Sequence, residues 1–104
     1  MILVDQTSSG QTVDLPVGQV MEVRLTENPT TGYRWRMIMN GAPACVMVND
    51  RFQAPSGPPG KGGEHIWLIK GAAIGTCDIA MQYRRGFEPD VGARSFALHV
   101  RVTQ

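Results

Sequence analysis

Apolar residues recur at every second position along most of this chain, whereas helical spacing nowhere persists for the roughly ten residues that a helix needs. A period of two puts successive side chains on opposite faces of a strand, so one face can be buried and the other hydrated. About seven such segments alternate with turn residues, at the spacing typical of two packed sheets. We therefore predict an all-β, antiparallel β-sandwich of about seven or eight strands. The predicted strands cover residues 2–5 with 12–15, 19–26, 33–39, 45–50, 64–70, 76–84 and 96–102.

Three of these segments carry more detailed expectations. Residues 7–10, Thr-Ser-Ser-Gly, separate 2–5 from 12–15, which suits a first strand that is interrupted or switches between sheets. Segment 64–70 is apolar on both faces, as expected of a central strand. In segment 33–39 the apolar face includes Trp35, which we expect to pack at the centre of the core.

Length and charge limit the classes of partner. At 104 residues the chain is predicted to be one domain, residues 1–104, able to bury roughly 60% of its unfolded surface without a disulfide or metal. A net charge of +1 offers no field for nucleic acid or an anionic membrane. No run approaches the roughly 18 apolar residues of a membrane span, and residues 1–5 lack the pattern of a signal peptide. We expect a soluble monomer with no nucleic-acid or membrane partner.

The cysteines and histidines do not indicate a metal site or a cofactor. Cys45 and Cys77 could pair or stay free, and the sequence leaves both alternatives open. Together with His65 and His99 they lack the close-paired spacing of a structural zinc site. We expect no cofactor and no metal.

The connections between predicted strands are unequal. Loops 28–32, 53–63 and 85–93 are the first, third and fifth connections counted from residue 19, so alternating strand direction places all three at one pole. They are the loops richest in residues with special backbone properties, such as Gly and Pro, whereas 40–43 and 71–75 at the other pole are shorter and have fewer such residues. This asymmetry is typical of a protein that binds its partner with the loops of one pole.

Enzyme chemistry finds little support in the sequence. His65 and His99 lie within strand patterns, and Cys77 shares the apolar face of its strand, as an inert buried thiol does. The carboxylates are scattered. Residues 57–62 resemble a phosphate loop only in Gly-Lys, because the first glycine, the magnesium-binding hydroxyl and the following helix are all absent. We predict that the chain is not an enzyme.

Three short motifs occupy the three loops in order: Asn28-Pro29-Thr30-Thr31-Gly32-Tyr33, Gly60-Lys61-Gly62-Gly63 and Arg85-Gly86-Phe87. They resemble the signature loops of the chagasin-type inhibitors of papain-like cysteine peptidases, which read Asn-Pro-Thr-Thr-Gly-Tyr/Phe, Gly-x-Gly-Gly and Arg-Pro-Trp/Phe. The similarity in order and spacing covers nearly the whole chain, from about Leu15 to Val102. One motif alone is weak, but three in order at one predicted pole are specific.

The resemblance implies an immunoglobulin-like β-sandwich whose loops form a wedge that enters the peptidase cleft. If the matching positions act as they do in the family, Thr30 and Thr31 would lie over the catalytic cysteine of the peptidase. The other two loops would contact the two sides of the cleft. The implied function is reversible, tight-binding inhibition of papain-like cysteine peptidases, with no cofactor. The implied peptidase-binding residues are Asn28, Pro29, Thr30, Thr31, Gly32, Tyr33, Gly60, Lys61, Gly62, Gly63, Arg85, Gly86 and Phe87.

Two alternative functions stay open at this point. One is a non-inhibitory immunoglobulin-like adhesion or ligand-binding module that keeps the loops as scaffold. The other is a thiol enzyme that uses Cys77.

Gly86 stands where the family has proline, which provides a test of the third loop. Gly86→Pro should leave inhibition intact or tighten it modestly. Proline at a compatible site lowers the conformational entropy of the unfolded chain, which stabilises the folded loop by roughly 0.4–1 kcal/mol. Inhibition constants of the two proteins against one peptidase measure this. A large loss of potency would show that the loop has another geometry here.

Overall fold

The described chain folds into eight strands in two four-stranded sheets. The structure is a computed structural model, and it describes residues 2–28, 32–54, 62–85 and 94–104. The strands are β1 (Ile2–Asp5), β2 (Thr12–Pro16), β3 (Val20–Glu27), β4 (Tyr33–Asn40), β5 (Cys45–Gln53), β6 (Gly63–Gly71), β7 (Gly75–Arg85) and β8 (Arg94–Thr103). A short 3₁₀ helix, Gln6–Ser8, follows β1. The predicted all-β sandwich of seven or eight strands is confirmed.

The strand order shows how the N-terminal segment is used. The first sheet has the order β1-β3-β6-β5 and the second has the order β2-β8-β7-β4. The predicted interruption at 7–10 is therefore a switch between sheets. β1 pairs with β3, and β2 with β8, in parallel; the other pairs between described strands are antiparallel, as predicted. The two parallel pairs are possible because neither β1 nor β2 is joined to its partner by a hairpin.

One apolar cluster fills the space between the sheets. Alternate residues of β3, β6, β7 and β8 supply most of it, each at most 3% exposed: Met21, Val23, Leu25, Trp67, Ile69, Ile79, Met81, Phe96, Leu98, Val100 and Val102. On the opposite face of β6, Ile66 is also fully buried, between its register partners Arg24 and Arg51. β6 is central in its sheet, as the sequence predicted, but its outer face is only partly covered, since Leu68 is half-buried and Lys70 is exposed.

The expectation for Trp35 was wrong. Trp67, on the central strand β6, is the tryptophan of the core, whereas Trp35 lies half-buried on the edge strand β4. Trp35 still packs against the margin of the core cluster. Alternation identifies the face to which a side chain points, but not how deep that face lies at the end of an edge strand.

None of the helical structure in the described ranges is long or apolar enough to cross a membrane.

The two tryptophans provide a matched test of this difference in burial. Trp67→Ala should lower the free energy of unfolding by about 3–5 kcal/mol, because it empties a closed part of the core. Trp35→Ala should cost clearly less, since part of its ring already faces solvent. Urea denaturation of both variants measures the difference; an equal or larger loss at Trp35 would contradict the placement.

Candidate functional site

The ends of the three motif-bearing loops meet at one pole of the sandwich. Register pairs join the loop ends within each sheet: Glu27 with Gly63, Gln53 with Glu64, Tyr33 with Arg85, and Tyr83 with Arg94. Strands β3 and β5 therefore end where β6 begins, and β7 ends where β4 and β8 begin. This confirms, for the described loop ends, the prediction that the three loops emerge together.

The predicted site residues divide into two groups. Those that the structure describes all lie at this pole: Asn28, Gly32, Tyr33, Gly62, Gly63 and Arg85. The others fall outside the described residues: Pro29, Thr30, Thr31, Gly60, Lys61, Gly86 and Phe87.

A buried carboxylate links the two ends of the first loop. Glu27, the last residue of β3, is 1% exposed, and its Oε2 accepts a hydrogen bond of 2.8 Å from the backbone N–H of Trp35. Trp35 lies on β4 in the other sheet, so this bond ties the loop's entry strand to its exit strand. Buried carboxylates are costly unless they are hydrogen-bonded in this way. In the sequence, the only signal for Glu27 is a carboxylate at the end of an apolar strand, which did not predict a site residue.

His65 extends this link across the first sheet. Its Nδ1 lies 3.1 Å from Glu27 Oε1 and its Nε2 lies 2.6 Å from Asp50 Oδ2. The ring stacks on Trp67 with a centroid distance of 4.1 Å. The ring thus lies between the carboxylates of two different strands, within hydrogen-bond distance of both. We predicted His65 to be an ordinary strand residue, but it connects β3 and β5 through these two carboxylates.

Three aromatic rings lie together at the base of the first loop. Tyr83 stands 5.4 Å from Tyr33 and 5.0 Å from Trp35, measured between ring centroids. Its hydroxyl accepts a 2.9 Å hydrogen bond from the backbone N–H of Asn28. The indole Nε1 of Trp35 donates to the carbonyl of Thr26 at 2.8 Å. These two bonds, like that of Glu27, join the two sheets at the base of the loop.

Two motif glycines allow the loop ends to approach one another. Gly32 has a φ of +84°, and a Cβ there would lie 3.1 Å from Cγ and Cδ of Arg85. A Cβ at Gly62 would lie 3.3 Å from the carbonyl oxygen of Glu27. Gly62 thus packs the second loop against the first, and Gly32 packs the first against the third. The three loop bases form one unit.

Arg85 adds a cation to this unit. Its guanidinium carbon lies 5.6 Å from the centroid of the Tyr33 ring. This geometry is that of a cation–π contact between the first and third loops.

The groups that an enzyme would need are not assembled in the described residues. Both histidines bind carboxylates, His65 as above and His99 through Nδ1 at 2.5 Å from Asp78. No group of three His, Cys, Asp or Glu within 2–28, 32–54, 62–85 and 94–104 is arranged to hold a metal ion.

The two cysteines lie at the other pole, near the starts of β5 and β7. Both are free thiols. Burial, with a hydrogen bond to Cys77, raises the pKa of the Cys45 thiol to about 12. Cys45 is therefore almost wholly protonated at neutral pH and is not a nucleophile.

Comparison with known proteins gives consistent matches over the whole fold. Residues 14–101 match the family model described as Chagasin family peptidase inhibitor I42. The chain is 30% identical over 97 residues to Amoebiasin-1 of Entamoeba histolytica, covering 93% of this chain and 95% of that protein. It is 26% identical over 106 residues to Chagasin of Trypanosoma cruzi, covering 95% and 96% of the two proteins.

A solved structure extends the comparison to three dimensions. The cysteine protease inhibitor EhICP2 from Entamoeba histolytica superposes with a TM-score of 0.84, covering 97% of this chain and 94% of that one. At 21% identity this likeness shows a shared fold.

Glu27 should be the residue on which the order of the first loop depends. Glu27→Ala leaves the Trp35 N–H and the Nδ1 of His65 without their partner, so we expect a loss of about 2–4 kcal/mol in the free energy of unfolding. Amide exchange at Trp35 should accelerate. Glu64→Ala is the matched control: its side chain is 44% exposed and 3.4 Å from Arg24, so its cost should stay within about 0.5 kcal/mol. Equal costs for the two variants would contradict this role.

Proposed function

The chain belongs to the chagasin family of peptidase inhibitors, and we propose that it inhibits papain-family cysteine peptidases by placing the three loops of one pole in the active-site cleft. In this proposal the whole chain acts as a single inhibitor domain and not as an enzyme. The observation that carries it is the joining of the three loop bases into one unit, through Glu27, Tyr83, Gly32 and Gly62. The family's three motifs occupy these loops.

The proposed mechanism is occlusion without cleavage. Thr30 and Thr31 would cover the catalytic thiolate without presenting a peptide bond in attack geometry, and the loops that contain Gly60 and Phe87 would hold the two sides of the cleft. No bond is made or broken, so inhibition is reversible. These assignments rest on the family's motif and on the position of the loop bases.

Tight binding by so small a contact requires that the loops be ordered beforehand. Each residue that must be ordered on binding costs roughly 1–2 kcal/mol of backbone entropy. The hydrogen bonds of Glu27 and Tyr83 hold both ends of the first loop in the free protein. Part of that entropy is therefore lost during folding instead of during binding.

Titration of papain and of a cathepsin-L-like peptidase tests the function directly. We expect inhibition that is complete near equimolar inhibitor, competitive with a peptide substrate, and reversed on dilution, with the chain recovered at its original mass. Absence of inhibition by micromolar chain against several such peptidases would overturn the proposal and favour a non-inhibitory binding module.

Loop variants test the assigned residues. Thr31→Ala and Phe87→Ala should each raise the inhibition constant about tenfold or more, because they truncate side chains proposed to be buried in the cleft. Thr76→Ala and Ile74→Ala, at exposed positions of the other pole, should leave it unchanged. All four should keep the unfolding free energy of the parent within about 0.5 kcal/mol. Equal inhibition by loop and control variants would exclude the assigned contact.

A further inference from the structure

The two cysteines of the chain meet between the sheets at the pole opposite the three loops. Cys45 is the first residue of β5 in the first sheet, and Cys77 lies near the start of β7 in the second. They are the only cysteines in the sequence and are far apart along it. Because they belong to different sheets, only the packing of one sheet on the other brings them together.

Gly41, in the turn between β4 and β5, shows how close the two side chains are. Its φ is +83°, and a Cβ there would lie 3.1 Å from the Cys77 sulfur and 3.5 Å from the Cys45 sulfur. Both sulfurs therefore lie beside one point, and the two thiols are hydrogen-bonded to each other. Because the sulfurs are already in contact, rotation of the two side chains can bring them to bonding distance with little movement of the strands.

The two thiols differ in their access to solvent. Cys45 is fully buried, whereas Cys77 is partly buried and lines an open cavity of about 750 Å³. Met37, Met39 and Asp78 line the same cavity. A small oxidant can therefore reach Cys77 but not Cys45. An accessible thiol with a second thiol beside it is the arrangement of an attacking and a resolving cysteine.

We propose that Cys45 and Cys77 are a redox-active pair, which a small disulfide such as glutathione disulfide oxidises to a bond that cross-links the two sheets. The structure shows the reduced form, in which both thiols are free. This inference is independent of the proposed inhibitory function. It adds a modification site at the pole opposite the three loops.

The reaction is two successive thiol–disulfide exchanges. The Cys77 thiol loses its proton and attacks one sulfur of glutathione disulfide, and a glutathione thiolate leaves and takes up a proton. Cys45 then loses its proton and attacks the Cys77 sulfur, and the second glutathione leaves and is protonated in turn. Two protein thiols are oxidised and one glutathione disulfide is reduced to two thiols. Cys45 is protonated at neutral pH, but brief loss of its proton suffices because its sulfur already contacts the bond that it attacks.

The cross-link stabilises the fold by restricting the unfolded chain. It closes a loop that contains β5, β6 and the segment 53–63, which is rich in Gly and Pro. Closing a long loop removes more entropy from the unfolded state than closing a short one. The bond lies at the other pole from the loop bases, so the inhibition constant should not depend on it.

Incubation of the reduced protein with excess glutathione disulfide tests the proposal. The intact mass should fall by two hydrogen atoms with no glutathione attached, and a peptide map without reductant should join the peptides of Cys45 and Cys77. The melting temperature should rise by about 10 °C or more. Cleavage by thermolysin, which is not a cysteine peptidase, should slow about tenfold or more. Dithiothreitol should reverse all of these changes.

Single variants separate the roles of the two thiols. Cys45→Ala removes the second exchange, so Cys77 should retain one glutathione and the mass should rise accordingly. Cys77→Ala should stay unmodified while folded, because Cys45 is buried. The oxidant should raise the melting temperature of neither variant. Each variant is compared with its own reduced form, so that any cost of the substitution to folding cancels.

Three results would overturn the proposal: a parent chain that stays reduced, one that only acquires glutathione, or a cross-linked chain with an unchanged melting temperature. Inhibition is measured with papain that has been activated beforehand and freed of reductant, and the reduced and oxidised chains should give the same inhibition constant. Unequal constants would contradict an effect confined to this pole. Inhibition by neither form would overturn the proposed function and leave the cysteine pair as argued.

Discussion

The order of the loop-bearing pole depends on the buried carboxylate of Glu27. Through one oxygen it holds the backbone of β4 across the first loop, and through the other it contacts His65, which reaches Asp50 on β5. Four strands from both sheets are connected by this one side chain. A carboxylate removed from water in this way needs all of these partners, because each lost hydrogen bond leaves a charged group desolvated. The hydrogen bonds that stabilise the buried Glu27 therefore also hold the two ends of the first loop in place.

The packing around Glu27 explains how the described bases of three separate loops form one unit. Tyr83 and Trp35 bind the backbone on the entry side of the first loop, and two glycines let the described ends of the second and third loops approach the ends of the first. Hydrogen bonds between sheets at a loop base limit the directions in which the loop can leave the sandwich. An inhibitor that acts by occlusion needs no reactive group. Its affinity depends on a binding surface that is already ordered in the free protein.

The sequence by itself determined the strands, the burial of their alternate residues and the common pole of the three loops. These properties depend on local periodicity and on the alternation of strand direction, and both can be counted along a chain. The three motifs indicate the family in the same way, because each is a short contiguous pattern in the sequence. Only the tertiary structure decided which tryptophan is central, which strands pair in parallel, and that Glu27 and His65, 38 residues apart, share a part-buried hydrogen bond. Those features depend on depth and on contacts between distant residues, for which periodicity carries no signal.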